Sequence, residues 1–174
     1  LYQWSINEME SFWSQFWDFS NIKYSKTYDS VLKNPVMPGA EWFTGSELNY
    51  AENLLKGDPN QVAVISLGES GPAKSMTFRE LNLKVSSVQK GLINLGVKKG
   101  TIVAGFVPNC VETLIIMLAV SSLGGIWTSC SPDFGSKGVV DRFGQVNPHI
   151  LITSNGYSYN GKLYKLQDLS LIHI

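Results

Sequence analysis

At roughly 150 residues per domain, 174 residues amount to about one, enough for a sizeable core and too few for a long multidomain machine. Fourteen basic and fourteen acidic side chains cancel, and charged residues make up only 16%, below the usual quarter; this excludes a nucleic-acid-binding arm. A hydrophobic share of 44% excludes a disordered chain, and the longest unbroken apolar run, Leu114 to Val120, is far shorter than the roughly 20 residues of a membrane span.

The charge is split along the chain: residues 1 to 60 hold eight acids against four lysines, which leaves the remainder net positive and suited to an anionic ligand. The first residue is Leu, and an aromatic helix, Trp4 to Phe19, begins almost at once, so a segment is expected to precede it. Asn7 with Glu10 forms a capping-box pattern, after which Met9, Phe12, Trp13, Phe16 and Trp17 recur at helical spacing. That aromatic face predicts a core or docking surface, and the part around Trp13 and Trp17 is expected to need further chain to cover it. Residues 20 to 60, broken by Pro35, Pro38, Gly39, Gly45, Gly57 and Pro59, read as an extended, wrapping connection with short helical turns.

From Gln61 the pattern changes. Val62 to Ile65 is a strand, and Thr77 with Glu80 opens a helix whose apolar stripe is Leu81, Val85, Val88, Leu92 and Leu95, stopped by Gly96. Thr101 to Val107 is the next strand; Asn109 caps a helix to about Leu123, ended by Gly124-Gly125, and Ile126 to Ser129 is a third strand. A short helix from Ser136 to Gln145 precedes a fourth, Ile150 to Thr153. Continuous apolar strands alternating with helices predict an α/β fold of three layers, a mostly parallel sheet flanked by helices. Ligands in such sheets lie beyond the carboxyl ends of the strands, which directs attention to Pro108-Asn109, Ser129 to Gly135 and Ser154 to Lys162. Leu169 to Ile174 matches the translation of a sequencing-library adapter, so this hexapeptide is read as a scar and His173 receives no role.

Chemistry is sparse among these residues. No glycine-rich segment has phosphate-loop spacing, His149 has no acidic neighbour for a metal site, and Ser129, Ser131 and Asp133 have no paired histidine base. Cys110 and Cys130 are expected to be two buried, unpaired thiols of a reducing compartment. The loop Ser129-Cys130-Ser131-Pro132-Asp133-Phe134-Gly135 reads equally as a ligand loop or as an ordinary turn with Phe134 in the core.

The run Glu41 to Leu55, Met76 to Leu81, Gly96 to Gly100, and Pro108-Asn109 with Glu112 resemble acetyl-CoA synthetase-like enzymes of the acyl-adenylate-forming superfamily. Within it, Trp127 to Gly135, Val140 to Phe143 and Tyr159 to Lys162 resemble the acetoacetate-activating branch, whose acetyl- and propionyl-activating relatives usually carry Gly-Gly-Phe-Ser in place of Pro132 to Gly135. The resemblance implies an acid–thiol ligase that uses ATP, Mg²⁺ and CoA on acetoacetate in the cytosol, with neither membrane nor nucleic acid as partner. It implies an N-terminal region at 1–60 and part of an AMP-binding domain at 61–168, ahead of the scar read at 169–174. The phosphate loop, the ribose-binding acid and the mobile-domain lysine are expected in a C-terminal remainder of the same chain, so this stretch alone is expected to be inactive and to bind no cofactor tightly. It also implies that Pro132, Asp133, Phe134, Tyr159 and Lys162 border CoA, although Tyr159 stands where an Arg is usual. An acetyl- or propionyl-CoA synthetase fragment, or a stand-alone non-catalytic binding module, is the alternative.

Overall fold

The computed structural model describes residues 1–69 and 71–166. The chain forms two compact units, Leu1–Asn53 and a second beginning at Leu54.

In the first unit the aromatic segment is two helices, α1 (Tyr2–Asn7) and α2 (Met9–Phe19). The expected capping box does not form. Because the chain is already helical from Tyr2, Asn7 is the last residue of α1 and donates through Nδ2 to Gln3 Oε1 at 3.2 Å, while Glu8, at φ −129° and ψ 57°, caps α2 with no side-chain bond. Residues 20 to 60 hold an antiparallel ribbon, β1 (Ser30–Lys33) with β2 (Glu41–Thr44), in which Leu32 faces Trp42. Strands of four residues carry too little alternation to show in the sequence.

This ribbon covers half of the aromatic face. Trp17 is only 8% exposed, its ring 4.8 Å from that of Phe43 and 5.3 Å from that of Tyr28, and Trp13 meets Trp42 edge-on at 5.8 Å. The covering expected from chain elsewhere is thus supplied around Trp13 and Trp17 by residues 28 to 43. Asn53 pins the segment before the ribbon: its side chain accepts from the Lys23 amide at 2.8 Å and donates to the Lys23 carbonyl at 2.9 Å. Helix α3 (Tyr50–Leu54) starts with the Asn49 side chain accepting from the Glu52 amide.

In the second unit β3 (Val62–Ser66) pairs antiparallel with β4 (Lys74–Thr77), a strand the sequence reading passed over. The connection between them is too short for a helical crossover, so β3 joins a ribbon and not the parallel sheet. Thr77 then caps α4 (Phe78–Asn94) as the pattern predicts: its hydroxyl accepts from the Glu80 amide at 3.3 Å, and its own amide donates to Glu80 Oε2 at 2.8 Å. A cap of this kind contributes about 1 kcal/mol. The same bonds hold the Glu80 carboxyl below its ordinary pKa. Leu81, Val85 and Leu92 are buried as expected; Leu95 is not, because it caps the helix just before Gly96 turns the chain at φ +85°.

The remaining elements are β5 (Ile102–Phe106), α5 (Val111–Ser122), β6 (Ile126–Cys130), α6 (Ser136–Gly144) and β7 (Ile150–Thr153). The three strands form a parallel sheet in the order β6-β5-β7. From β5 the chain steps one way to β6 and then back across β5 to β7. Right-handed crossovers therefore place α5 and α6 on opposite faces, which gives the three layers. On the α6 face Val139 and Phe143 pack against Ala104, Phe106 and Cys130, and Leu166 closes the cluster. Asn109 does not cap α5; Cys110 takes that place without a side-chain cap bond, while the Thr113 hydroxyl donates to the Pro108 carbonyl at 2.7 Å. No helix among the described residues is long and apolar enough to cross a membrane.

Candidate functional site

The register aligns the carboxyl ends of the sheet: Phe106 lies beside Cys130 on one side and Thr153 on the other. Two segments consequently leave the same edge, the loop Ser131 to Gly135 after β6 and the chain from Ser154 after β7. The second of these, read from the sequence as a loop, is an antiparallel hairpin of β8 (Gly156–Tyr159) and β9 (Lys162–Lys165). Its turn is Asn160-Gly161, both left-handed at φ 49° and 69°, the conformation that a two-residue hairpin turn requires.

The expected site residues distribute over these two segments. Pro132 is buried and fixes the loop's start. Asp133 is exposed, but both of its oxygens are taken: Oδ2 accepts from the Ser131 hydroxyl at 2.7 Å and Oδ1 from the Tyr157 hydroxyl at 2.9 Å. The Phe134 ring, 38% exposed, lies over the first turns of α6, close to Gly138 and with the Arg142 guanidinium 4.2 Å from its centroid. Tyr159 is 61% exposed and faces Lys162 in the last register pair before the turn. Asp133 thus bonds to the strand that carries Tyr159, two residues before it.

Three participants escaped the sequence reading. Tyr157 joins loop to hairpin and stacks on Tyr164 at 5.3 Å, Arg142 covers Phe134, and Glu69 holds the hairpin turn, its Oε1 accepting from the Asn160 amide at 2.7 Å and its Oε2 from the Gly161 amide at 3.2 Å. Only the Asn-Gly turn signal, which marks a hairpin between two short runs, was available to find any of them. A cleft of about 420 Å³ at the base of the hairpin is lined by Ser154, Asn155, Gly156, Leu163 and Lys165 and by none of the five expected residues.

The bond to Asp133 raises the Tyr157 phenol above its ordinary pKa, since losing the proton would set an anion beside a carboxylate. A raised value means that the link is complete below the ordinary tyrosine pKa near 10 and is lost as pH climbs through the higher folded value. Phenolate absorbance in an alkaline titration is expected to show one late-titrating tyrosine that vanishes in Tyr157→Phe and shifts earlier in Asp133→Asn. A phenol unmoved by Asp133→Asn contradicts the link.

Among the other sequence candidates, His149 has a structural role. His149 Nδ1 accepts from the Ile102 amide at 3.4 Å, and its own amide donates to the Ile102 carbonyl at 2.9 Å, tying β7 to β5 at their amino ends. Among the described residues no three His, Cys, Asp or Glu side chains gather as a metal site. Both thiols are free; Cys130 is buried, which raises its pKa against a smaller opposing effect of Arg142, whereas Cys110, expected to be buried, is only partly so. Leu169 to Ile174, His173 included, lie outside the described residues.

Comparison with known proteins gives the family. Residues 51–172 match the family model described as AMP-binding enzyme, and residues 1–54 that of the acetyl-coenzyme A synthetase N-terminus. The chain is 45% identical, over 97% of its own length, to acetoacetyl-CoA synthetase of Xenopus tropicalis, and 40% identical over 94% to a malonamoyl-CoA synthetase of Penicillium aethiopicum; it spans 26% and 24% of those proteins. A solved structure titled acetoacetyl-CoA synthetase from Streptomyces lividans superposes with a TM-score of 0.90 at 38% identity, over 97% of this chain and 26% of that one. The match over residues 51–172 therefore makes the chain a member of the AMP-binding enzyme family, and the match over residues 1–54 gives it the acetyl-coenzyme A synthetase type of N-terminus.

Proposed function

We propose that the protein containing this chain is a ligase that activates acetoacetate with ATP, releasing pyrophosphate, and passes the acyl group from AMP to the thiol of CoA. The observation that carries this reading is the 0.90 TM-score, at 38% identity, to a solved acetoacetyl-CoA synthetase over 97% of the chain. The physical need is a leaving group: a carboxylate resists nucleophiles, whereas an acyl-adenylate presents a reactive carbonyl, with cationic groups and Mg²⁺ offsetting the phosphate charge. In this reading the groups that hold Mg²⁺ and ATP belong to the parts of such a ligase outside this chain, which spans 26% of its Xenopus tropicalis relative.

In this reading residues 1–60 form the N-terminal region, residues 61–168 contribute part of the AMP-binding domain, and the protein works in the cytosol. Pro132, Asp133, Phe134, Tyr159 and Lys162 border CoA. The support for this is that Tyr159 and Lys162 present an exposed ring and an exposed ammonium side by side, suited to stacking on a base and meeting a phosphate as a point charge. Asp133 acts through the hairpin: with both oxygens satisfied by this chain's own hydroxyls, it positions Tyr159 and Lys162.

The two acyl groups in the relatives' names share a chemistry. Acetoacetate and malonamate both carry a carbonyl at C3 and differ by a methyl against an amino group of nearly equal size. A site that hydrogen-bonds this carbonyl rejects analogues lacking it strongly, because its own polar group is left unpaired. In an AMP-release assay of the protein made from its complete coding sequence, acetoacetate is expected to exceed acetate and propionate by at least about 100-fold in kcat/KM. Equal or better use of acetate overturns the assignment; malonamate, tested alongside, reports how far the shared C3 carbonyl sets the substrate class.

A further inference from the structure

The turn of the β8–β9 hairpin is already occupied by an anion, and the anion is the protein's own. Asn160 and Gly161 stand in successive left-handed conformations, φ 49° and 69°, and their amides point to one side. Each donates to a different oxygen of Glu69, at 2.7 and 3.2 Å, from a residue more than ninety positions earlier in the chain. Two converging amides gripping two oxygens of one acidic group are the arrangement by which a backbone holds phosphate as well as carboxylate. Lys162, the next residue after the pair, adds a cation at the same tip, and Tyr159 an exposed ring.

We infer that Glu69 and a phosphate group of CoA are alternative occupants of the Asn160 and Gly161 amides, so that Glu69 closes the tip while no coenzyme is bound and swings away when one binds. The inference rests on the reading of the hairpin as a CoA border and adds to it a competitor. The Glu69 side chain is exposed, so its carboxylate returns to water when displaced, and the exchange of one anion for another leaves neither the amides nor the acid desolvated. While it stays in place, its negative charge opposes an incoming phosphate at the only backbone donors of the turn that its carboxylate engages. The apparent CoA affinity is then reduced by the fraction of molecules in which the tip is closed.

The test compares wild type with Glu69→Ala, Glu69→Gln and Glu69→Asp, each made as the complete protein, by calorimetric CoA binding without acyl substrate and by hydrogen exchange over residues 156–165. Glu69→Ala and Glu69→Gln are expected to exchange the turn amides about tenfold faster and to bind CoA about three- to tenfold tighter. Glu69→Asp retains the charge on a side chain one methylene shorter; its affinity is expected to follow its exchange rate, and not its charge. Should the neutral variants bind CoA equally or more weakly, Glu69 only braces the turn and the inference fails while the ligase reading stands. It fails likewise if Glu69→Asp frees the amides yet binds CoA as wild type does, for then bulk repulsion explains the gain. CoA binding by neither wild type nor any variant overturns this inference, while the ligase reading stands or falls separately by its AMP-release assay.

Discussion

Phe143→Ala is expected to cost about 3–5 kcal/mol of stability, the range for emptying a fully buried aromatic position. The ring is 1% exposed and sits between α6 and the sheet, against Ala104, Phe106, Cys130, Val139 and Leu166, with Tyr157 packed on the edge of the cluster. Ala104 and Cys130 are small, and Phe106 and Val139 are fixed in β5 and in α6 itself, which leaves Leu166, just beyond β9, as the one large cluster member outside a strand or helix. Phe143→Leu keeps most of the volume and is expected to lose under about 1.5 kcal/mol. Denaturant unfolding of the complete protein, followed by a probe in this unit, checks both. A Phe143→Ala loss below about 1 kcal/mol would mean that α6 does not seal this face. The damage is expected to reach the site, since α6 also carries Arg142 over Phe134, and Tyr157 leans on the cluster while bonding Asp133.

Gly156→Ala is expected to open the hairpin and leave the sheet intact. A Cβ at position 156 would run into the Tyr164 carbonyl oxygen on the paired strand. The obstacle is backbone and cannot rotate away as a side-chain tip would. Overpacking of this kind costs about 1–3 kcal/mol, which shifts the local opening of the hairpin by roughly 5- to 150-fold. Hydrogen exchange over residues 156–165 is expected to accelerate by that factor, with loss of the Tyr157–Tyr164 stack, while exchange in β5 and β6 stays at its wild-type rate. If the hairpin carries Tyr159 and Lys162 to CoA, coenzyme affinity falls in parallel. Hairpin protection that survives the substitution would show that β8 and β9 can part at Gly156 without unpairing.

Residue patterns alone determined what depends on neighbours in sequence. The Thr77–Glu80 capping box, the Gly96 stop, the burial of Leu81, Val85 and Leu92 on α4 and the positions of β5, β6 and β7 all follow from local hydrogen bonding or periodic burial, and the structure reproduces them. The α/β class followed too, because continuous apolar strands separated by helices admit few topologies. The opening capping box at Asn7 failed for a reason that is still local: a cap pattern cannot tell that the chain before it is already helical.

Tertiary structure decided what depends on pairings between distant residues. The sequence marked Asp133 and Lys162 as neighbours of a ligand, but only the fold shows that Asp133 is consumed by Ser131 and Tyr157, that Arg142 sits over Phe134, and that Glu69 crosses from the β3–β4 connection to grip the Asn160-Gly161 turn. The same holds for the ribbon that covers Trp13 and Trp17 and for the assignment of β3 to its own antiparallel pair. Several of these contacts join residues tens of positions apart, and all are single hydrogen bonds, ring contacts or short pairings that impose no period on the chain. The loop and the hairpin of the candidate site meet because the sheet's register aligns three strand ends in one row, and that row is a property of the folded molecule.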